Sequence, residues 1–344
     1  MGVKATKVTT NSIKRNSDSD VSRNTTDSFF EDTSSSLSSL GALSLYEFTI
    51  TSNFDTYLYL DGRKFYNISS YILPSDVMET RRSDFTHELY KRRWYGNFSS
   101  PVDELLKSGG GRVLECGCGS GRWSYDMAVN YPNSTFIGLD MVPTFSDINN
   151  DDNKPSNLGF LEYNICDGLP FEEATFDFLF QRSMIISLSK PQWNIMLNEF
   201  ARTLKPGGWL ELMELNINDI SFTKTARKFQ RALNTYLEID DHYSFHHFPI
   251  HNLLRTTNKF NSVRLIEKKV PIGSWGGEFG LKVADVLIEV YEGMKPTIKQ
   301  IMNVTDSEFD ELIHKLSREI KSPLNNYMYI TSVRIIAMRN SEPW

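Results

Sequence analysis

The stretch Val113–Trp123, VLECGCGSGRW, decides how the rest of the chain is read. A short apolar run ends in three alternate glycines, Gly117, Gly119 and Gly121, and RWSYDMAVNY behind them has the pattern of a helix. A strand that turns through glycines into a helix lets backbone approach a ligand without Cβ interference and aims the helix N-terminus at it. The spacing is G-x-G-x-G, where a dinucleotide fingerprint is G-x-G-x-x-G. Glu115 also stands just ahead of the loop, and a carboxylate beside a pyrophosphate is repulsive.

A phosphate-free nucleoside removes that conflict. S-adenosylmethionine offers an ammonium, a sulfonium, a carboxylate and an adenosine, so an acid near the ammonium and bare amides near the carboxylate suit it. Two readings of Glu115 stand together: a ligand contact, and a structural acceptor for the loop. Asp140 ends the second predicted strand 23 residues after Gly117, close to the separation of about 20 expected of a ribose-binding acid. A carboxylate there accepts both ribose hydroxyls; the alternative is an ordinary strand-end turn residue. Met141 presents a polarizable side chain to an adenine face or fills the core. Asp167, with Gly168 beside it, lies in the loop before the fourth predicted strand. It is placed to accept from the adenine amine or simply to form a turn.

Outward from the glycine loop, short apolar runs alternate with helical stretches: RVLECG, STFIGLDM, LGFLEYNI, FDFLFQRS and GGWLELMEL as strands, with a helix from Pro191 to Leu204. That alternation predicts an α/β fold with a parallel sheet and crossover helices. Lys205-Pro206-Gly207-Gly208 is expected to stop the helix and turn the chain. Helices are predicted over about 223–239, 250–259, 279–302 and 306–321, between a β-rich run, SVRLIEKKVPIG, and a last strand, NYMYITSVRIIAM. The long excursion between these strands predicts a helical insertion, about 278–322, over the ligand face.

Ahead of this domain, assigned to 106–344, residues 46–105 hold a hairpin, YLYLDGRKFY, and a covering helix after Pro74. Arg82 lies on that helix's apolar stripe, either snorkelling or pointing an anionic group into a pocket. Residues 1–45 are Ser-, Thr-, Asn- and Asp-rich without period, which predicts a disordered polar tail.

A net charge of −6 and a pI near 5.6 exclude a dominant nucleic-acid surface; Lys91, Arg92 and Arg93 read as a solvated helix face. The cysteines Cys116, Cys118 and Cys166 lack zinc spacing and read as reduced thiols. The start carries no signal-peptide pattern, and no apolar run is long enough for a membrane helix. The expectation is a soluble intracellular chain, cytoplasmic or nuclear, with no nucleic-acid or membrane partner.

Taken together, YILPSDVMETRRSDFTH, GNFSSPVDELLKSGGGRVLECGCGSG, FIGLDMVP, NICDGLPFEEATFDFLFQRSM, LKPGGWLELMEL and PIGSWGGEFG resemble class I S-adenosylmethionine-dependent methyltransferases. They are most similar to the fungal UMTA-like group related to velvet-associated regulators of secondary metabolism. The resemblance runs from about Tyr71 to the C-terminus. It implies a Rossmann-like seven-stranded methyltransferase sheet with an antiparallel last strand and helical lid elements. By the same resemblance Glu115 and the loop glycines meet the methionine moiety, Asp140 the ribose, Met141 the adenine, and Asp167 with Gly168 its edge. Three features depart from the family: its motif acid is more often aspartate, Ser120 stands where proline is common, and INNDDNKPSN lengthens the loop after strand two.

Methyl transfer from a sulfonium rests largely on positioning, with a general base added where the nucleophile must lose a proton. Candidates for that base are His247, within the cluster His242, His246, His247 and His251, and His87 on the covering helix; pocket lining and helix packing are the alternatives. Pro249 interrupts the cluster and no H-E-x-x-H occurs, so no metal is expected. The fourth strand ends in FQRSM and lacks the Asn-Pro-Pro-aromatic element of amide and exocyclic-amine methyltransferases. Arg182 at that strand end and Trp275 beside Gly276 and Gly277 are candidate pocket residues. The expected partner is a small-molecule or protein methyl acceptor. A cofactor-binding regulator acting through a protein partner is the alternative function.

Overall fold

The computed structural model describes residues 56–67, 71–216, 223–243, 249–323 and 327–341. The polar tail expected for 1–45 lies outside them, as do His246 and His247.

The chain enters through an antiparallel hairpin, β1 (Tyr57–Leu60) and β2 (Arg63–Tyr66), turning at Asp61-Gly62 with positive φ at both. Arg63 grips Asp76 with contacts of 2.5 and 2.8 Å, and Asp76 caps helix α1 (Val77–Trp94) by accepting from the Glu79 amide at 3.0 Å. One residue therefore joins the hairpin to the covering helix. A short α2 (Asp103–Ser108) leads into the sheet.

Seven strands form that sheet: β3 (Arg112–Cys116), β4 (Thr135–Asp140), β5 (Leu158–Glu162), β6 (Phe176–Arg182), β7 (Leu204–Asn216), β8 (Phe260–Pro271) and β9 (Tyr329–Arg339). Their order is β5-β4-β3-β6-β7-β9-β8, and the last strand, β9, runs antiparallel to both neighbours. The remaining pairings are parallel, and the chain reverses direction across the sheet between β3 and β6. At such a switch point the loops beyond the strand ends diverge and leave a crevice. The glycine loop leaves β3 at that place.

Neighbouring strand residues face opposite sides. Leu114, Ile137 and Leu179 join Trp193, Met196 and Phe200 of α5 (Lys190–Thr203), the fifth helix after α3 (Arg122–Asn130) and α4 (Ser146–Asn149). Val113, Phe136, Phe178 and Phe180 join Trp123 and Met127 of α3, with Trp123 stacked on Phe180 at 4.1 Å. A third cluster gathers α6 (Lys224–Ile239) with α8 (Gly277–Gly293), α9 (Lys295–Met302) and α10 (Asp306–Lys321) around Phe229, Tyr291 and Phe309; α7 (Ile250–Thr256) packs on the sheet beside β8.

Two expectations are corrected. The single helix over 279–302 is two helices, because Pro296 cannot donate a backbone hydrogen bond and instead opens α9 near its N-terminus. The Lys205–Gly208 segment does not end in a free turn. Leu204 already pairs with Phe176, the register shifts, and pairing resumes at Trp209 opposite Phe178, so these residues form a bulge inside β7.

A buried ion pair secures the segment after α1. Glu211 on β7 accepts from the amides of Ser99 and Ser100 and the Ser100 hydroxyl at 2.8–3.0 Å, and its Oε1 lies 3.3 Å from Nε of Arg334 on β9. Arg334 in turn donates to Ser99 Oγ and Gly96 O and lies over the Trp94 ring.

Candidate functional site

Beyond the strand ends lies a cavity of about 370 Å³, within the range of small-molecule sites. One end is bounded by Gly117, Gly119, Asp140 and Met141. The other is bounded by an apolar stripe of α8, Phe279, Val283, Val286, Leu287, Val290 and Met294. Arg82 and Arg182 also line the cavity.

The glycine loop works differently from the expectation of free amides. The amide of Cys118 donates to Leu139 O, that of Gly119 to Asp140 Oδ2 at 2.7 Å, and that of Gly121 to Cys118 O. The loop therefore contributes room for close approach at Gly119, while at Gly117 the missing Cβ makes way for the Met184 side chain. Gly121, at φ +76°, is not on the wall: a Cβ there would run into the Phe160 ring, so it serves helix-to-sheet packing. The covering helix is tied to this loop by Ser120 Oγ, which donates to Asp84 at 2.5 Å.

Asp140 accepts from the amide of Gly119 on one oxygen and from that of Val142 on the other, which leaves lone pairs on both. Burial pushes its carboxyl up to about 6, with the Val142 and Gly119 amides pulling the other way. Glu115 lies behind the loop. It is 2% exposed, does not line the cavity, and takes the Ser124 amide and hydroxyl at 3.1 and 2.6 Å. Of its two sequence readings, the structural acceptor that ties β3 to the start of α3 is the one this geometry supports. Burial raises its carboxyl to about 7, against the field of Arg182 and the Ser124 bonds.

The loop before β6 presents different residues from those expected. Asn164 caps a single 3₁₀ turn, accepting from the Cys166 amide, and Ile165 is buried beneath it. This turn puts Asn164, Ile165 and Cys166 on the wall and sends Asp167 out to solvent, where it accepts from Asn164 Nδ2 at 3.1 Å; Gly168 lies against Glu199. Trp275 is likewise off the wall, donating from Nε1 to Met328 O at 2.7 Å beside the Tyr327 ring. Neither His242, buried against Tyr236, nor His251 on α7 lines the cavity.

Arg82 faces the cavity but is held by Glu79 through contacts of 2.5–3.1 Å, so its charge is already partnered. Arg182 donates from Nη1 to His87 Nδ1 at 3.1 Å and sits over the Tyr90 ring. Because arginine only donates, His87 must accept at Nδ1, so its neutral ring carries the proton on Nε2 and gives it to Asp126 at 3.1 Å. Burial, opposed by Asp126, lowers the His87 pKa. Burial also works against Asp126, yet His87 and Lys91 bring it down to about 2. His87 is 1% exposed and not on the wall. It positions Arg182.

Among the described residues His87, Glu88 and Asp126 place ligand atoms within 4.8 Å, but Lys91 lies 2.5 Å from Asp126 Oδ2 and Arg182 occupies the other ring nitrogen. Replacing His87 with leucine removes the acceptor of Arg182 and one donor to the buried Asp126, and is expected to cost about 1–3 kcal/mol. His87→Gln, with one donor and one acceptor, should recover most of it. Urea unfolding and cofactor titration of both variants check this; a glutamine variant as impaired as the leucine one would return His87 to an acid–base role.

Sequence reasoning missed Glu214, a buried carboxylate on the cavity wall at the end of β7. Its signal was in GGWLELMEL, an acid closing a strand at the same sheet edge as Gly117 and Asp140. The apolar wall comes from α8, within the segment of about 278–322 expected as a helical insertion over the ligand face.

Residues 113–208 match the family model described as a methyltransferase domain. The domain match and the relatives support a class I S-adenosylmethionine-dependent methyltransferase fold and cofactor site related to those of the laeA proteins. It is 30% identical to methyltransferase str2 of Strobilurus tenacellus over 47% of this chain and 53% of that one. To the secondary metabolism regulator laeA of Coprinopsis cinerea it is 28% identical, over 50% of this chain and 42% of the other. Methyltransferase pytC of Aspergillus terreus is 27% identical over 85% of this chain and 86% of its own. The chain thus spans about half the length of the first two and most of the third.

The cofactor is S-adenosylmethionine, and the wall residues fit it: Gly119 leaves space beside the Asp140 carboxylate, and each wall arginine already has a protein partner where a pyrophosphate would want free cations. No helix among the described residues is long and apolar enough to cross a membrane.

Proposed function

We propose that this chain transfers a methyl group from S-adenosylmethionine to a small-molecule or protein acceptor held in the same cavity. The observation that carries the reading is continuity: one cavity extends from Gly117, Gly119 and Asp140 to the apolar face of α8, so donor and acceptor can meet inside it. Asp140 takes the ribose hydroxyls, Gly119 admits the methionine end, Met141 lies against the adenine, and Asn164 to Cys166 form its edge. When bound, the cofactor supplies an electrophilic methyl group; the protein excludes water and fixes the approach.

The test pairs calorimetry with S-adenosylhomocysteine and mass spectrometry of cell extract incubated with the protein and labelled cofactor. Binding together with a methylated species that Asp140→Ala abolishes supports transfer. The similarity to laeA regulators supports a second reading, a cofactor-binding regulatory protein with a protein partner. Binding with no transfer across broad extracts favours that one.

A further inference from the structure

Three carboxylates reach the cavity wall: Glu79, Asp140 and Glu214. Glu79 is held by Arg82, and Asp140 stands beside the glycine loop. Glu214 pairs with no cation among the described residues; its partners are the amides of Met184 at 2.7 Å and Ile185 at 3.4 Å, one on each oxygen. Each oxygen keeps a free lone pair.

Its place in the fold is specific. The Met184 side chain lies against Gly117, where a Cβ would collide with its sulfur, so a single residue separates Glu214 from the glycine loop. Leu215, next to Glu214, packs against one apolar cluster that holds Leu233, Ile330 and the α8 residues Val283 and Leu287, all of them on the cavity wall. Glu214 therefore stands where the cofactor end of the cavity meets its apolar end. An acid 2% exposed, without a cation, beside an apolar chamber is costly to keep unless it has a task.

We propose that the acceptor is an apolar small molecule bearing a hydroxyl group, seated against α8, and that Glu214 is the catalytic base that receives the hydroxyl proton. The proposal rests on the methyl-transfer reading above. As the acceptor oxygen forms its bond to the methyl carbon, the S–CH₃ bonding pair stays on sulfur, which becomes a neutral thioether. The hydroxyl proton passes to a Glu214 oxygen, so charge and atoms balance.

Burial, against the Met184 and Ile185 amides, raises the Glu214 carboxyl to about 8. Tyr90 from α1 feels its charge, its own phenol raised by burial, and Arg182 and Arg82, both already partnered, act on Tyr90 in turn. Asp140, raised to about 6, and Glu115 behind the loop, raised to about 7, also ionise toward the lower end of the range from pH 6.5 to 9, so the Glu214→Gln comparison isolates the part that belongs to Glu214.

The experiment uses the full chain saturated with S-adenosylhomocysteine and 2-naphthaleneethanol as probe, an alcohol that does not ionise in this range, compared with its methyl ether by fluorescence titration. In the wild type the alcohol should bind roughly tenfold more tightly at pH 9 than at pH 6.5, as its hydrogen bond becomes charge-assisted. Glu214→Gln, which keeps an acceptor oxygen for the Met184 amide, should bind the alcohol independently of pH. The ether should bind alike in both proteins. A pH-dependent preference for the alcohol that survives in Glu214→Gln would overturn the assignment. So would loss of ether binding in that variant, which would make Glu214 a loop-positioning residue only. With a turned-over acceptor, Glu214→Gln should lose about 10²- to 10⁴-fold in rate. Absence of any methyl transfer with alcohol binding intact would count against the methyl-transfer reading and leave the alcohol site supported.

Discussion

Glu211→Ala is expected to lower stability by about 3–5 kcal/mol, measured as the shift of the urea unfolding midpoint. The substitution removes one acceptor and strands several donors at once: the amides of Ser99 and Ser100, the Ser100 hydroxyl and the Arg334 guanidinium, which is 1% exposed. An unpaired buried charge costs more than the lost attraction, because the guanidinium was desolvated on the understanding of a partner. A paired replacement, Glu211→Leu with Arg334→Met, should therefore lose less than Glu211→Ala alone. That inversion separates a charge effect from lost packing. The segment these bonds hold, Gly96 to Ser100, follows directly from the covering helix, so cofactor affinity should fall with stability. A loss below about 1 kcal/mol would mean that water reaches Arg334 and that the pair is not the clamp described.

Asp140→Ala is expected to weaken S-adenosylhomocysteine binding by about 10²- to 10⁴-fold, since hydrogen bonds to a charged acceptor are worth about 1.5–3 kcal/mol each and the proposed ribose contact makes two. It also leaves the Gly119 and Val142 amides without their acceptor, which loosens the loop itself. Asp140→Asn keeps one acceptor oxygen and should lose less. The pH dependence has a definite sign. The Asp140 carboxyl is raised to about 6, and its ionised form is the better acceptor for both hydroxyls, so wild-type affinity should be full above pH 7 and fall as pH drops through about 6. Asp140→Asn should be flat across that window apart from what Glu115, raised to about 7, contributes from behind the loop. Calorimetry from pH 5 to 8 on both proteins checks this; equal pH profiles would take Asp140 out of the cofactor contact.

The glycine loop and the acid 23 residues on were legible because their roles are local. Gly119 needs backbone space, Asp140 closes a strand, and both follow from residues close in sequence to the loop they serve. Asp167 and Trp275 lie off the cavity wall for the complementary reason. Whether a loop side chain faces a ligand depends on how the turn is capped and what anchors it, and Asn164 and Ile165 rotate Asp167 outward. At Glu115 two readings stayed open in the sequence, because the partner that favours the structural one, Ser124, is supplied only by the return of the helix onto the strand.

The sequence by itself determined the α/β alternation, the glycine turn after the first sheet strand and the absence of a phosphate-type fingerprint, because periodicity and residue chemistry are properties of adjacent residues. Only the tertiary structure decided that Glu214, His87 and the apolar stripe of α8 belong to one neighbourhood. They come from segments far apart in the chain. Their meeting is set by sheet order and by which buried charges find partners, and no single stretch of sequence encodes that.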